Sequence, residues 1–133
     1  MSSVLYQLAG VVQHENEKNP NKMMTRAQEI SLQFLKMVSQ HFKESTSVNF
    51  YAEQLHLTSR HLSSVLKDTL GKTAHQIISD FVSNEAKALL SSTQKTLSEI
   101  AYDLNFSDQY AFSHFFKKHF NLSPNQYRRQ FKD

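Results

Sequence analysis

The polar residues that could take part in chemistry are arranged for binding and not for catalysis. The seven histidines form no His-Glu-x-x-His pattern, and His56 with His61, like His114 with His119, stand five residues apart, on different faces of a helix. The chain has no glycine-rich phosphate loop, and without Cys it can form no disulfide, thiolate metal site or cysteine nucleophile. We therefore expect no enzymatic activity, no metal site and no cofactor.

Cationic residues near the C-terminus indicate a surface for an anionic partner. The net charge of the 133-residue chain is only +3, but no Asp or Glu occurs between Gln109 and Lys132. The cations and histidines of this segment are His114, Lys117, Lys118, His119, Arg128, Arg129 and Lys132. Such a segment can bind anions, although an ordinary solvated charged face is the alternative.

An internal repeat indicates the elements that would position these residues. Residues 48–55 align with 97–104 at an offset of 49, whereas 62–67 align with 112–117 at an offset of 50. The second copy is therefore one residue longer just after its turn. A repeat of this kind indicates a duplicated supersecondary unit.

Composition and periodicity predict an all-α fold of seven helices, with two helix-turn-helix subdomains joined by a long linker helix. Two Gly and two Pro are few for a sheet protein, which needs many tight turns. Apolar residues recur at helical spacing. Together with capping patterns they predict helices at about 25–43, 47–55, 58–70, 73–90, 97–104, 107–119 and 124–131.

Particular residues are expected to start and end these helices. Ser47, Thr58 and Ser107 are the predicted N-caps of the second, third and sixth helices. Asn105 and Asn121 stand where the chain must turn sharply, and Asn tolerates a positive φ better than most residues. The two helix-turn-helix subdomains should therefore span about 47–70 and 97–119.

In a helix-turn-helix protein the second helix enters the major groove of DNA, so its exposed positions should carry hydrogen-bonding groups. Those positions are Ser59, Arg60, Ser63, Ser64 and Lys67 in the third helix, and Asp108, Gln109, Tyr110, Ser113, His114 and Lys117 in the sixth. Arg60 can bind guanine through two hydrogen bonds, and Gln109 can bind adenine in the same way. For each of these residues the alternative is an ordinary exposed side chain, or partial burial for Tyr110.

Phosphate contacts are predicted from helix N-termini and from nearby hydroxyls and cations. The candidates are Thr58, Ser59, Lys67, Lys72, Lys95, Thr96, Ser107, Lys117, Lys118, Ser123 and Arg128. Such contacts would set the affinity and its salt dependence, but not the choice of sequence.

Residues 25–131 resemble the C-terminal domain of AraC/XylS-type bacterial transcription regulators. The resemblance rests on residues 100–118, on Ser123-Pro124 with Tyr127-Arg128, and on the Glu-Ala-Lys-x-Leu-Leu motif at 85–90. It implies two recognition helices in successive major grooves of double-stranded DNA. It also implies base-reading residues at Arg60, Ser63, Ser64, Gln109, Tyr110, Ser113 and His114.

The sequence departs from the family pattern at four positions. Asn105 and Asn121 stand in place of the usual glycines, Val82 in place of an arginine of the fourth helix, and His114 in place of a recognition-helix arginine. The two asparagines preserve the turn chemistry. His114 leaves open how strongly the sixth helix would read guanine.

The resemblance further implies partners beyond this DNA-binding segment. These are a promoter site, RNA polymerase, and an upstream sensor or oligomerisation domain whose remnant and linker would be residues 1–24; an extra packed helix is the alternative for 1–24. No apolar run approaches the roughly 18 residues that span a bilayer, so a cytoplasmic protein is expected. The rival interpretation is an all-helical protein-interaction module, which two repeats are too few to build as a solenoid.

Overall fold

The computed structural model describes residues 23–131, which form seven α-helices and, within that range, no strand. The helices are α1 Arg26–His41, α2 Val48–Gln54, α3 Ser59–Leu70, α4 Ala74–Ser92, α5 Leu97–Asp103, α6 Gln109–Phe120 and α7 Pro124–Arg129. The predicted all-α fold is confirmed. No helix in the described range is long and apolar enough to cross a membrane. The remnant predicted at 1–24 lies, except for residues 23 and 24, outside the described residues.

Helix starts follow the predicted capping patterns. In four places a hydroxyl accepts from the backbone N–H three residues on, while the Gln or Glu there accepts from the backbone N–H of the capping residue. These reciprocal pairs are Thr25 with Gln28, Thr73 with Gln76, Thr96 with Glu99, and Ser123 with Gln126. Each pair satisfies two backbone donors that the helix itself leaves without a partner.

One predicted N-cap is at a different residue, and another is in place but makes no side-chain bond. Ser47 occupies the N-cap of α2 but makes no side-chain capping bond. The N-cap of α6 is Asp108, whose carboxylate accepts from the backbone N–H of Ala111 at 2.8 Å, so the prediction of Ser107 is wrong. A carboxylate caps a helix as well as a hydroxyl does, and its negative charge interacts favourably with the positive end of the helix dipole. Ser107 is therefore the extra residue of the second repeat.

The turns of both repeats use a left-handed backbone at corresponding positions. The joint between the two helices of each unit has a positive φ at His56 (58°) and at Asn105 (66°). Helices α3 and α6, the second helix of each unit, end on Gly71 (φ 75°) and Asn121 (φ 60°). Both asparagines were predicted for such positions. His56 was not, because its side-chain type gives only a weak signal for this conformation.

The chain divides after Phe81 into two compact units. In the N-terminal unit α1, α2, α3 and the first turns of α4 bury a core that includes Phe34, Leu35, Tyr51, Leu66 and Ile77. The Tyr51 ring meets Phe34 edge-on, and its hydroxyl donates to the carbonyl of Ser45 at 2.7 Å. This core holds α3 with one face inward.

Aromatic rings dominate the C-terminal unit. Phe112 and Phe116 are fully buried on α6, and Phe106 and Tyr127 pack against them from the turn and from α7. The ammonium group of Lys87 lies 3.9 Å from the centre of the Phe120 ring, within cation–π range. The inward face of α6 is thus fixed, which leaves its opposite face to solvent.

Candidate nucleic-acid interface

Helix α3 presents the polar face that its periodicity predicts. Leu62 and Leu66 are buried, whereas Arg60, Ser64 and Lys67 are exposed. These three lie on one side of the helix because they are spaced by three, four and seven residues. Ser63, the remaining predicted base-reading residue of this helix, is half-buried at the edge of that face.

Helix α6 presents the corresponding face of the second unit. Tyr110 is 79% exposed, which excludes partial burial for this residue. His114 and Lys117 follow it along the same side of the helix and are also exposed, whereas Ser113 is half-buried. Lys118 is exposed as well. A cationic, hydrogen-bonding surface therefore runs along α6.

The alignment of the two faces is set by the extra residue Ser107. Thr58 and Asp108 are the N-caps of α3 and α6, and both recognition helices contain 12 residues. Arg60 therefore corresponds to Tyr110, and Ser64 corresponds to His114. The two faces share their geometry but differ in chemistry, since only α3 carries a guanidinium group at its second position.

Two polar residues at the starts of the recognition helices are bonded to the preceding helix. Ser59 donates to the side-chain carbonyl oxygen of Asn49 at 2.7 Å, and Ser98 donates to that of Gln109 at 2.8 Å. Gln109 is half-buried by this arrangement. Neither Asn49 nor Ser98 was predicted to belong to the site. Their positions near the starts of α2 and α5 were the only signal that could have identified them.

The N-termini of α3 and α6 differ in charge. Thr58 caps α3 with a neutral hydroxyl, which accepts from the backbone N–H of His61 at 3.0 Å. Asp108 caps α6 with a carboxylate. An anion approaching α6 therefore meets a negative group, whereas one approaching α3 meets only the positive end of the helix dipole. Ser107, just before this cap, is exposed.

Lys72 and Lys95 are each engaged in an ion pair. The ammonium group of Lys72 lies 2.7 Å from a carboxylate oxygen of Asp80, and Lys95 pairs in the same way with Asp103. The hydrogen bond that Lys95 donates to the Asp103 carboxylate raises the pKa of Lys95 above its usual value. Both pairs follow the pattern Lys-Thr-x-x-Gln/Glu-x-x-x-Asp, which is visible in the sequence at 72–80 and 95–103. Both lysines were predicted from the sequence to be phosphate ligands, and this pattern was not used to predict the ion pairs.

The hydroxyls of Thr96 and Ser123 are used for capping. Each accepts at 3.1 Å from the backbone N–H three residues further on. The Glu99 carboxylate accepts in turn from the backbone N–H of Thr96, and this bond holds the pKa of Glu99 below its usual range. These residues can approach a phosphate only as parts of a completed cap.

Arg128 is placed differently from the prediction. Its guanidinium group donates to the carbonyl of Leu90 at 3.0 Å and to those of Leu89 and Thr93 at 3.4 Å. It is half-buried at the C-terminal end of α4. Its Nε and Nη2 donors therefore serve the protein backbone, which gives Arg128 a structural role besides the predicted phosphate contact.

The groups of the candidate site are a guanidinium, ammonium groups, hydroxyls, an amide and an imidazole on two helices of equal length. These groups can bind a polyanion through their positive charges and can form hydrogen bonds with donors and acceptors that the polyanion exposes. In residues 23–131 no cluster of three or more His, Asp or Glu residues could hold a metal ion.

The chain is similar in sequence to a family of helix-turn-helix domains and to known transcription regulators. Residues 51–130 match the family described as "Helix-turn-helix domain". The chain is 26% identical over 119 residues to the melibiose operon regulatory protein of Escherichia coli, covering 90% of this chain and 39% of that protein. It is 32% identical over 95 residues to the transcriptional activator RhaS of Escherichia coli, covering 71% of this chain and 34% of the activator.

A solved structure shares both the fold and part of the sequence. The C-terminal domain of AraT, a response regulator from Geobacillus stearothermophilus, superposes with a TM-score of 0.73 at 30% identity, covering 80% of this chain and 88% of that one. The match to the family extends over most of both helix-turn-helix units. The chain belongs to the AraC/XylS family of transcription regulators and carries the helix-turn-helix DNA-binding domain of that family.

Proposed function

We propose that this domain recognises a two-part site on double-stranded DNA, with α3 and α6 in successive major grooves. The observation that carries the proposal is the repeated polar face: two 12-residue helices, each preceded by a seven-residue helix, with hydrogen-bonding groups on the exposed side. The 19 residues of α4 form a continuous helix. Such a helix is about 28 Å long, which is comparable with one turn of DNA at about 34 Å.

We propose that base reading is divided unequally between the two helices. On α3 the readers are Arg60, Ser63 and Ser64, with Arg60 bound to guanine O6 and N7. On α6 they are Gln109, Tyr110, Ser113 and His114. Because Arg60 corresponds to Tyr110, the two half-sites should differ in sequence.

We propose that phosphate binding rests mainly on exposed side chains near these faces. The first group is Lys67, Ser107, Lys117 and Lys118. The other candidates would contribute only through groups already bonded within the protein, and these are Thr58, Ser59, Lys72, Lys95, Thr96 and Ser123. The exposed lysines should therefore dominate the salt dependence of binding.

We infer that the intact regulator contains further parts. The chain spans 39% of the melibiose regulator and 34% of RhaS, so both relatives are much longer. We propose an upstream sensor or oligomerisation domain to which residues 1–24 connect, and contact with RNA polymerase at a promoter. Binding to chromosomal DNA would place the protein in the cytoplasm.

Selection from random duplex DNA by the 133-residue chain tests the proposal. The expected result is enrichment of an asymmetric site. Arg60→Ala should then lose about 1–3 kcal/mol of discrimination at one base pair, whereas Lys118→Ala should weaken binding to all sequences alike and reduce the salt slope by about one. No retention of any duplex at low salt would refute DNA binding by this chain. Enrichment that Arg60→Ala leaves unchanged would refute only the role of Arg60.

A further inference from the structure

Each helix-turn-helix unit contains one hydrogen bond between a hydroxyl and an amide at the same place in the repeat. Asn49 and Ser98 are the second residues of α2 and α5, and Ser59 and Gln109 are the first residues of α3 and α6. The bonds join them in pairs, at 2.7 Å from Ser59 to Asn49 and at 2.8 Å from Ser98 to Gln109. Both bonds tie the start of a recognition helix to the start of the helix before it.

The hydroxyl and the amide lie on opposite helices of the pair in the two units. In the N-terminal unit the recognition helix supplies the hydroxyl and α2 supplies the amide. In the C-terminal unit α6 supplies the amide, at the first position of the recognition helix, and α5 supplies the hydroxyl. Only the second unit therefore places an amide on the helix that is proposed to read bases.

The bond leaves the Gln109 amide with a defined set of groups. An amide has two N–H donors and an oxygen with two lone pairs. Ser98 occupies one lone pair of Oε1, so one lone pair and both Nε2 donors stay available. Adenine offers the complementary pair in the major groove, an acceptor at N7 and a donor at N6. In the observed bond the Oε1 end of the amide faces Ser98, and the Nε2 donors are not used by it.

We infer that Ser98 is a positioning residue that orients the Gln109 amide for reading adenine. The inference rests on the proposed function, because it takes Gln109 as a base-reading residue. A glutamine side chain has several rotatable bonds, and ordering them on binding lowers the affinity. With Ser98 in place, part of this ordering is present before DNA arrives. Without it, the amide can turn over and offer its donors and its acceptor in either order.

Four variants of the 133-residue chain test this inference after the selection described above. Gln109→Ala should reduce discrimination at one base pair by about 5-fold or more. Ser98→Ala should reduce it at the same base pair by about 2- to 10-fold, the usual worth of one neutral hydrogen bond, whereas Ser98→Thr retains the hydroxyl and should restore it. Asn49→Ala removes the equivalent bond of the other unit from its amide side and should leave that base pair unaffected.

A measurement without DNA separates orientation from stability. The side-chain N–H2 signals of Gln109 are identified as the pair that disappears in Gln109→Ala. In Ser98→Ala these signals should shift toward those of a mobile glutamine, while backbone signals of α6 stay in place. Unchanged Gln109 signals, or a base preference in Ser98→Ala equal to that of the unmodified chain, would overturn the inference. A chain that enriches no DNA sequence would refute the proposed function itself, and this inference with it.

Discussion

Arg128 lies on α7, but its guanidinium group caps the C-terminal end of α4 by donating hydrogen bonds to carbonyl oxygens there. The last carbonyls of a helix have no partner within the helix and carry a partial negative charge. Arg128 donates to three carbonyls in this region, those of Leu89, Leu90 and Thr93. Such a contact needs several donors in one plane, which a guanidinium has and an ammonium lacks. The role of this residue depends on geometry and not on charge alone.

Arg128→Lys should therefore lower stability and leave DNA affinity nearly unchanged. The lysine keeps the positive charge but cannot reach three carbonyls, so the free energy of unfolding should fall by about 1–3 kcal/mol. Urea denaturation and DNA titration at a temperature where both proteins are folded measure the two effects. Arg129→Lys, at an exposed neighbour, is the control and should change stability by less than about 0.5 kcal/mol. Weaker DNA binding at unchanged stability would restore Arg128 to the phosphate contacts.

Tyr51 gives the N-terminal unit a predictable response to alkaline pH. Burial, with a smaller contribution from the carboxylate of Glu44, raises the pKa of Tyr51 from 10.0 to about 12. Between these values the unfolded chain releases the phenolic proton while the folded chain retains it. Stability that is fully present below pH 10 is therefore lost as the pH rises toward 12, by about 2–3 kcal/mol for this group.

The comparison with Tyr51→Phe isolates this response. The variant loses the hydrogen bond to Ser45 and should start from a lower stability. Its free energy of unfolding should then fall less steeply than that of the unmodified chain between pH 10 and 12, because no phenol titrates at this position. Chemical denaturation at several pH values measures both slopes. Equal slopes would show that Tyr51 ionises alike in the folded and unfolded chains.

At the scale of elements, the N-caps of α3 and α6 set different electrostatic conditions for the same kind of helix. Thr58→Asp and Asp108→Thr exchange the two caps, and each new residue is itself a good cap. Thr58→Asp should weaken binding to all duplexes by a few-fold, and Asp108→Thr should strengthen it by a similar factor, because only the charge beside the phosphates changes. Fluorescence anisotropy at two salt concentrations measures these affinities.

The double exchange and a cap-less variant serve as controls. Combined, Thr58→Asp and Asp108→Thr should nearly cancel in affinity if both caps lie near phosphates. Asp108→Ala removes the charge and the cap together, so it should lower stability by about 1 kcal/mol while Asp108→Thr does not. If Asp108→Thr left the affinity unchanged at low salt, the start of α6 would not lie near a phosphate.

The sequence was sufficient for the elements because local signals agree with one another. The Thr96 and Ser123 capping boxes, Gly71 and the stripe that includes Phe112 and Phe116 all locate helices without knowledge of the fold. It was insufficient at the start of α6, where Ser107 and Asp108 are adjacent and both can cap. The choice depends on how far the turn extends, which local propensity does not determine.

Roles within the candidate site were harder to predict than its location. Arg60, Tyr110 and His114 were expected on exposed faces, and they lie there. Lys72 and Arg128 were grouped with the phosphate-binding cations, although one pairs with Asp80 and the other caps α4. The Arg128 contact joins residues 38 positions apart, so no local pattern reveals it. Long-range partners decide which cations remain available to a ligand.

At the scale of the whole molecule, one chain carries two unequal recognition helices, one in each compact unit, and the single helix α4 contributes residues to both units. A flexible linker would let each unit find its half-site separately, with an effective concentration that changes slowly with spacing. A helix has a fixed length and a fixed rotation per residue. If α4 sets the spacing of the proposed two-part site, the domain should tolerate little variation in the distance between the half-sites.

Changing the spacing within the selected DNA site tests this expectation. The two blocks should lie about 10 base pairs apart, with Arg60→Ala relaxing one block and Gln109→Ala the other. Inserting five base pairs between them turns one block to the opposite side of the duplex, so affinity should fall to that of a site with a single block. A site with one block scrambled is the matched control. If the inserted site bound as tightly as the original, the two units would recognise DNA independently, and α4 would not set the spacing.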